Sequence, residues 1–272
     1  MTALPTAWVD YDVEGATPSR PVTNARLAAA SLAVREQRND AALDLAYGDH
    51  PRERLDIFPV KGGAAPVVLF IHGGYWRLGD KADRAFPAPV FAERGIAWAA
   101  MSYPLAPESS IERIVTAARR AVHWLHAHAS GYGIDPARIH LCGNSAGAHL
   151  AAMVMADRAT GACVAGATLI SGLFDLRPLL PLPINEVLGL TKDMAAAMSP
   201  LLLPPPKAPV LITLGEHEPS GFPAHSAAFH AYCAAAAPVM VVPGADHFSI
   251  LNELRRADTP LASAMLKQIE AR

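Results

Sequence analysis

Cysteine is scarce in this chain and net charge is almost absent. The three cysteines among 272 residues, Cys142, Cys163 and Cys233, are odd in number and far apart. They form neither a disulfide framework nor a CxxC metal site. Lys plus Arg total 23 and Asp plus Glu total 25, a formal charge of −2. No global field therefore favours nucleic acid or an anionic membrane surface. No apolar run reaches the ~18 residues a membrane helix needs. The opening MTALPTAWVDYD lacks the basic and apolar regions of a secretory signal. No GxGxxG fingerprint follows a strand, and there is no P-loop and no HExxH, so no cofactor and no metal are expected. These absences point to a soluble, cytoplasmic protein with a small-molecule substrate, no nucleic-acid partner and no membrane. Self-association as a homodimer stays open. What the chain has in quantity is apolar material, 51% of residues against 18% charged. That suffices for a large core and excludes a disordered chain.

The pattern along the chain is an alternation. Residues 1–23 are irregular, punctuated by Pro5, Gly15, Pro18 and Pro21. A helix is expected from Asn24 to Arg38, with Asn24 as N-cap. Two short apolar stretches, Leu43–Tyr47 and Leu55–Val60, flank Gly48-Asp49-His50-Pro51 and read as an antiparallel pair. Continuous apolar runs then recur at Pro66–Ile71, Ile96–Met101, Ile139–Cys142, Val164–Ile170, Pro209–Leu214 and Val239–Val242. Such runs suit strands buried on both faces of a parallel sheet. Helical segments separate them. The clearest starts near Ser110 and carries Ile111, Ile114, Val115, Ala118, Val122 and Leu125 on one stripe. This is an α/β doubly wound architecture in a single domain. Residues 1–40 form an N-terminal extension. A Leu- and Pro-rich stretch, about 174–206, reads as an insertion over the carboxyl ends of the sheet.

Gly143-Asn144-Ser145-Ala146-Gly147 fits G-x-S-x-G, between an apolar strand and an Ala-rich helical run. A sharp strand-to-helix turn there holds the serine exposed above the sheet, and the flanking glycines allow the close packing such a turn needs. Ser145 is thus the candidate nucleophile. His72-Gly73-Gly74-Tyr75-Trp76 follows the first central strand, where glycines let the backbone donate N–H groups to a substrate oxygen. Gly74 and Ala146 are the candidate oxyanion donors, with Tyr75 competing for the first place. His72 reads as a structural residue locking this loop. Among eleven histidines, His247 stands just after the last apolar run, where the base falls when the order is Ser…acid…His. His123, His126 and His128 read as a solvated helix face, and His149 as a packing or hydrogen-bonding residue. Three carboxylates compete for the acid: Glu216 and Glu218 after one strand, and Asp175 after the strand before it. A binding module on the same scaffold is the competing class, because fold alone does not dictate function.

HGGYW, GNSAGAHL, ISGLFDLRPLL, INEVLGL, LGEHE and GADHFSIL together resemble the arylformamidase (kynurenine formamidase) branch of the α/β-hydrolase superfamily, from about Leu43 to Leu254. Tyr103–Glu108 also carries the Tyr-x-Leu-Ala-Pro-Glu pattern of the related hormone-sensitive-lipase-like esterases, which have HGGG in place of HGGY. The resemblance implies an α/β-hydrolase fold, Ser145 as nucleophile, His247 as base and Glu218 as acid. It also implies hydrolysis of an N-formyl aryl amide such as N-formylkynurenine, with small-ester hydrolysis as the alternative. Tyr75, Trp76 and Phe174 are the apolar residues assigned to the aryl side. The chain departs from the family at Glu218, where the acid is usually aspartate, and at Asn144, where histidine is common. The stretch Pro219–His225 follows the family pattern only loosely.

Overall fold

The computed structural model describes residues 4–271. Eight strands form one sheet: β1 (Ala42–Ala46), β2 (Arg54–Phe58), β3 (Ala65–Ile71), β4 (Ala97–Met101), β5 (Ile134–Asn144), β6 (Gly166–Ile170), β7 (Val210–His217) and β8 (Met240–Asp246). Their order is β1-β2-β4-β3-β5-β6-β7-β8. β1 and β2 pair antiparallel, β2 joins β4 antiparallel, and β4 through β8 run parallel. The helices are α1 (Arg20–Gln37), α2 (Ala88–Ala92), α3 (Ile111–His128), α4 (Ala146–Ala156), α5 (Arg158–Gly161), α6 (Asn185–Leu188), α7 (Lys192–Ala197), α8 (Gly221–Cys233) and α9 (Pro260–Glu270). This is the expected α/β-hydrolase architecture, a mostly parallel sheet with helices on both faces. No helix among the described residues is long and apolar enough to cross a membrane.

The reason β3 is uninterrupted by polar residues is visible in its packing. Val67, Leu69 and Ile71 enter one core cluster, and Val68 and Phe70 enter the other. Successive side chains of a strand point to opposite faces, so a strand covered on both sides must be apolar throughout. The stripe on α3 is buried along its length, from Ile111 to Leu125, while His123, His126 and His128 are exposed.

Two expectations need correction. Helix α1 begins at Arg20, not Asn24. Pro21 is the reason: its ring fixes φ near the helical value, and the first turn has no use for its missing N–H. The stretch 174–206 contributes no residue to the cavity that Ser145 and His247 line. Leu176, Leu179, Leu182, Ile184, Leu188 and Leu190 are buried in the same core as β3, and Asn185 ties the segment together through Leu180 and Leu190. The leucine content supplies a packed wedge.

A buried charge cluster fastens α1 to the sheet. Asp56 on β2 is fully buried and accepts from Arg35 of α1, from Lys81 Nζ at 2.9 Å and from the backbone N–H of Asp44 at 2.8 Å. Lys81 also reaches Asp44 at 2.5 Å. Removing one member leaves buried charge uncompensated, which costs about 3–5 kcal/mol. Asp56→Ala should lower the urea unfolding midpoint by that amount of stability. A loss below about 1 kcal/mol, the size of an exposed ion pair, would contradict this account of the cluster.

Candidate active site

The carboxyl ends of the parallel strands β3, β5, β7 and β8 carry the candidate residues. β5 ends at Asn144, and Ser145 follows with φ 56° and ψ −120° before α4 begins. A non-glycine residue at positive φ is strained by about 1–3 kcal/mol and needs surroundings that hold it there. The two flanking glycines provide them. A Cβ on Gly143 would lie 2.3 Å from the carbonyl oxygen of Gly147, and a Cβ on Gly147 would lie 2.0 Å from that of Ile71 on β3. The Ser145 N–H also donates to the carbonyl of Ile170 on β6 at 2.8 Å.

β3 runs into His72-Gly73-Gly74, and this loop is bound to the elbow. The Gly73 N–H donates to Oδ1 of Asn144 at 3.1 Å. Tyr75 and Trp76 both have positive φ, 49° and 55°. The backbone N–H groups of Gly74, Tyr75 and Ala146 have no protein acceptor among the described residues. Unused N–H donors beside a helix N-terminus suit developing negative charge.

Glu218 follows β7 and His247 follows β8. His247 Nδ1 lies 2.7 Å from Oε2 of Glu218, and both side chains are buried. The other oxygen of Glu218 accepts from the Gly215 N–H at 3.0 Å and from the Ser171 hydroxyl. A carboxylate gripped by three donors is oriented for one tautomer of the imidazole. Glu216 points elsewhere, half-exposed, accepting from the Gly244 N–H at 2.8 Å. Asp175 is paired with Arg177 at 2.6 Å and accepts from the Ser199 hydroxyl. Burial works to raise its carboxyl, but the Arg177 hydrogen bonds outweigh that and hold it below the usual range. Ser145 and His247 line one cavity of about 260 Å³. No hydrogen bond joins their side chains among the described residues. Such contacts are often open until substrate is bound.

Tyr75 lines this cavity, but Trp76 and Phe174 do not. Both are fully buried. The Trp76 indole N–H donates to His149 Nδ1 at 3.2 Å, and Phe174 stacks on Phe229 with ring centres 4.1 Å apart. They support the site from the core. The missing wall comes from the N-terminal region instead, through Val13, Glu14, Arg20 and Asn24. Tyr75 fastens that region by donating to the carbonyl of Tyr11 at 2.5 Å. Nothing local in the irregular opening residues signals this role, because the contact spans more than sixty positions.

The BD-FAE family matches residues 55–162. The kynurenine formamidase of Salmo salar is 30% identical over 84% of this chain and 81% of its own length. The chain belongs to the kynurenine formamidase branch of the α/β-hydrolase superfamily. The formamidase of Danio rerio matches equally well, at 30% over 84% of the chain. Isoprenylcysteine α-carbonyl methylesterase of Arabidopsis thaliana is 40% identical, but only over 43% of this chain and 28% of its own length. Among solved structures, a Silicibacter sp. TM1040 protein with a provisional thioesterase assignment superposes with TM-score 0.84. It is 29% identical and covers 93% of this chain and 96% of its own. The Pyrobaculum calidifontis esterase, 20% identical with TM-score 0.72 over 98% and 99%, shares the fold. Members of this branch and its neighbours are hydrolases, and so is this chain.

Three neutral histidines brace this formamidase-branch site. Burial pushes His72 down to about 3, and His149 and His225 down to about 4. Each is held by neutral partners: His72 Nδ1 donates to the Gly73 carbonyl, His149 Nε2 to the Met198 carbonyl, and His225 Nδ1 accepts from the Phe174 N–H. Below the unfolded value of about 6.5 the unfolded chain binds protons that the folded chain refuses. Their stabilisation is thus complete above about pH 6.5 and is lost as pH falls toward 4. Urea unfolding between pH 7 and 4.5 should show proton uptake rising toward three. A stability flat across this window would contradict the assignment.

Proposed function

We propose that this hydrolase cleaves an N-formyl aryl amide, of which N-formylkynurenine is the prototype, through a formyl-enzyme formed on Ser145. The observation that carries the reading is the 2.7 Å contact between His247 Nδ1 and the buried Glu218, behind a cavity that His247 and Ser145 both line. The name of the relatives supplies the acyl group and leaving amine.

The steps follow from the residues. The Ser145 hydroxyl attacks the formyl carbon while His247 Nε2 takes its proton. Glu218 holds the imidazole by Nδ1–H and stabilises its positive form without taking the proton itself. The oxygen of the tetrahedral intermediate gains charge and is received by the N–H groups of Gly74 and Ala146, with Tyr75 beside them. His247 then protonates the leaving arylamine, an amide requirement that an activated ester lacks. Water enters, gives a proton to His247 and attacks the formyl carbon. Formate leaves and the proton returns to Ser145. A formyl group is the smallest acyl group, so a cavity of about 260 Å³ leaves most of its room to the amine side. Glutamate can replace aspartate if its backbone sits one methylene further back. The Gly215 and Ser171 donors hold one oxygen of Glu218 while the other meets His247.

Hydrolysis of a small ester by the same residues is the second reading. It is favoured by the 40% identity to a methylesterase over part of the chain. A paired assay separates the two. Wild type should deformylate N-formylkynurenine faster than it cleaves p-nitrophenyl esters of two to six acyl carbons, and Ser145→Ala should lose both activities. Ester cleavage alone would move the protein to the carboxylesterases. Glu218→Gln should lower kcat about ten-thousand-fold with KM little changed, as expected for loss of the correct tautomer. Wild-type kcat in Glu218→Gln would remove Glu218 from the mechanism.

A further inference from the structure

Arg84 and Asp83 line the cavity that holds Ser145 and His247, and the hydrolytic steps use neither. Among the described residues, Arg84 has no ion pair. Its Nη1 donates to the backbone carbonyl of Asp83 at 2.9 Å, and its Nε is buried with no partner. Burial pushes the guanidinium below its ordinary value, with Asp83 the nearest counterweight. The other arginine in the cavity wall, Arg20, is already neutralised by Glu14 at 3.0 Å. The Asp83 carboxylate makes no ion pair or hydrogen bond among the described residues.

These two side chains stand on a rigid base. They close the 3₁₀ turn Lys81–Arg84. Lys81 is tied to Asp44 and Asp56, and the Asp80 carboxylate accepts from the Ala82 N–H at 2.9 Å. The Trp98 indole donates to the Arg84 carbonyl at 2.8 Å, and the Phe86 N–H donates to Ser31 Oγ of α1. A rigid, desolvated cation without a counter-ion costs the fold stability. A ligand anion would remove that cost.

We propose that Arg84 and Asp83 form a subsite for a zwitterion: Arg84 takes the carboxylate of the substrate and Asp83 takes its neighbouring ammonium. The new element is the assignment of these two residues to the amino-acid head that N-formylkynurenine carries, and it rests on the formamidase reading. A phosphate or dicarboxylate fits less well, since Asp83 would repel it. Charge-assisted pairing accounts for the selectivity, because a neutral head would leave both side chains unpaired.

Calorimetric titration tests this without turnover. L-kynurenine carries the full head, whereas kynuramine is the same aryl ketone and amine without the carboxylate. Wild type should bind L-kynurenine about tenfold or more tighter than kynuramine. Arg84→Gln should erase the difference by weakening L-kynurenine alone, and Arg84→Lys should restore part of it. The thermal midpoint of ligand-free Arg84→Gln should rise, as an unpaired buried charge is gone. A structural arginine would lower it. The proposal is overturned by equal affinity of wild type for the two ligands, by no binding of L-kynurenine, or by unchanged L-kynurenine affinity in Arg84→Gln. The wild-type comparison decides even if Arg84→Gln does not fold. The outcomes separate from the parent reading. Deformylation with no carboxylate discrimination sinks the subsite alone. Carboxylate discrimination through Arg84 without deformylation sinks the formamidase reading alone.

Discussion

The left-handed backbone at Ser145 is the constraint on which the site depends. A φ of 56° is unfavourable for serine, so the structure must hold it from several sides. Gly143 and Gly147 let β5, α4 and β3 approach within distances that no Cβ would allow. The Ile170 carbonyl fixes the serine N–H from the next strand, and Asn144 fixes the loop from β3. With the elbow held, Gly74 and Ser145 line one cavity, and the proposed oxyanion donors, the N–H groups of Gly74 and Ala146, have no protein acceptor among the described residues. The strain at Ser145 is held by restraints from three neighbouring strands.

The surroundings of that elbow divide into a dry side and a charged side. On the dry side, His149, His225 and His72 are neutral, and they anchor the 174–206 segment, the Tyr11 region and the glycine loop. On the charged side, Glu14, Arg20, Asp83 and Arg84 line the cavity. The proposed mechanism needs both. Low polarity around Glu218 and His247 strengthens their contact, while a polar substrate head needs charged partners.

The sheet was readable in the sequence because strands buried on both faces leave continuous apolar runs, as Pro66–Ile71 does. Helix α3 was readable because its buried stripe follows the helical period. Ser145 and the glycines around it share one short stretch, so the elbow could be recognised locally. The contact of Glu218 with His247 could be narrowed by chain order but not chosen over Glu216 or Asp175 without the resemblance. Other features depend on contacts between distant segments. The N-terminal wall, the Asn144–Gly73 bond and the Ser171 donor to Glu218 are of this kind. Trp76 and Phe174 depart from the expectation for a related reason: an aromatic residue beside a motif can face the core as readily as the cavity. The leucines of 174–206 show the same ambiguity, since apolar composition does not say whether a segment covers a site or fills a wedge.

The central claim is that Ser145 is an activated nucleophile in this cavity. Labelling with a serine-directed fluorophosphonate, followed by peptide mass spectrometry, tests it most directly. The account predicts one adduct per chain, on Ser145, that is absent from Ser145→Ala and forms far more slowly in Glu218→Gln. An unlabelled wild type, or an adduct on another residue, would contradict it.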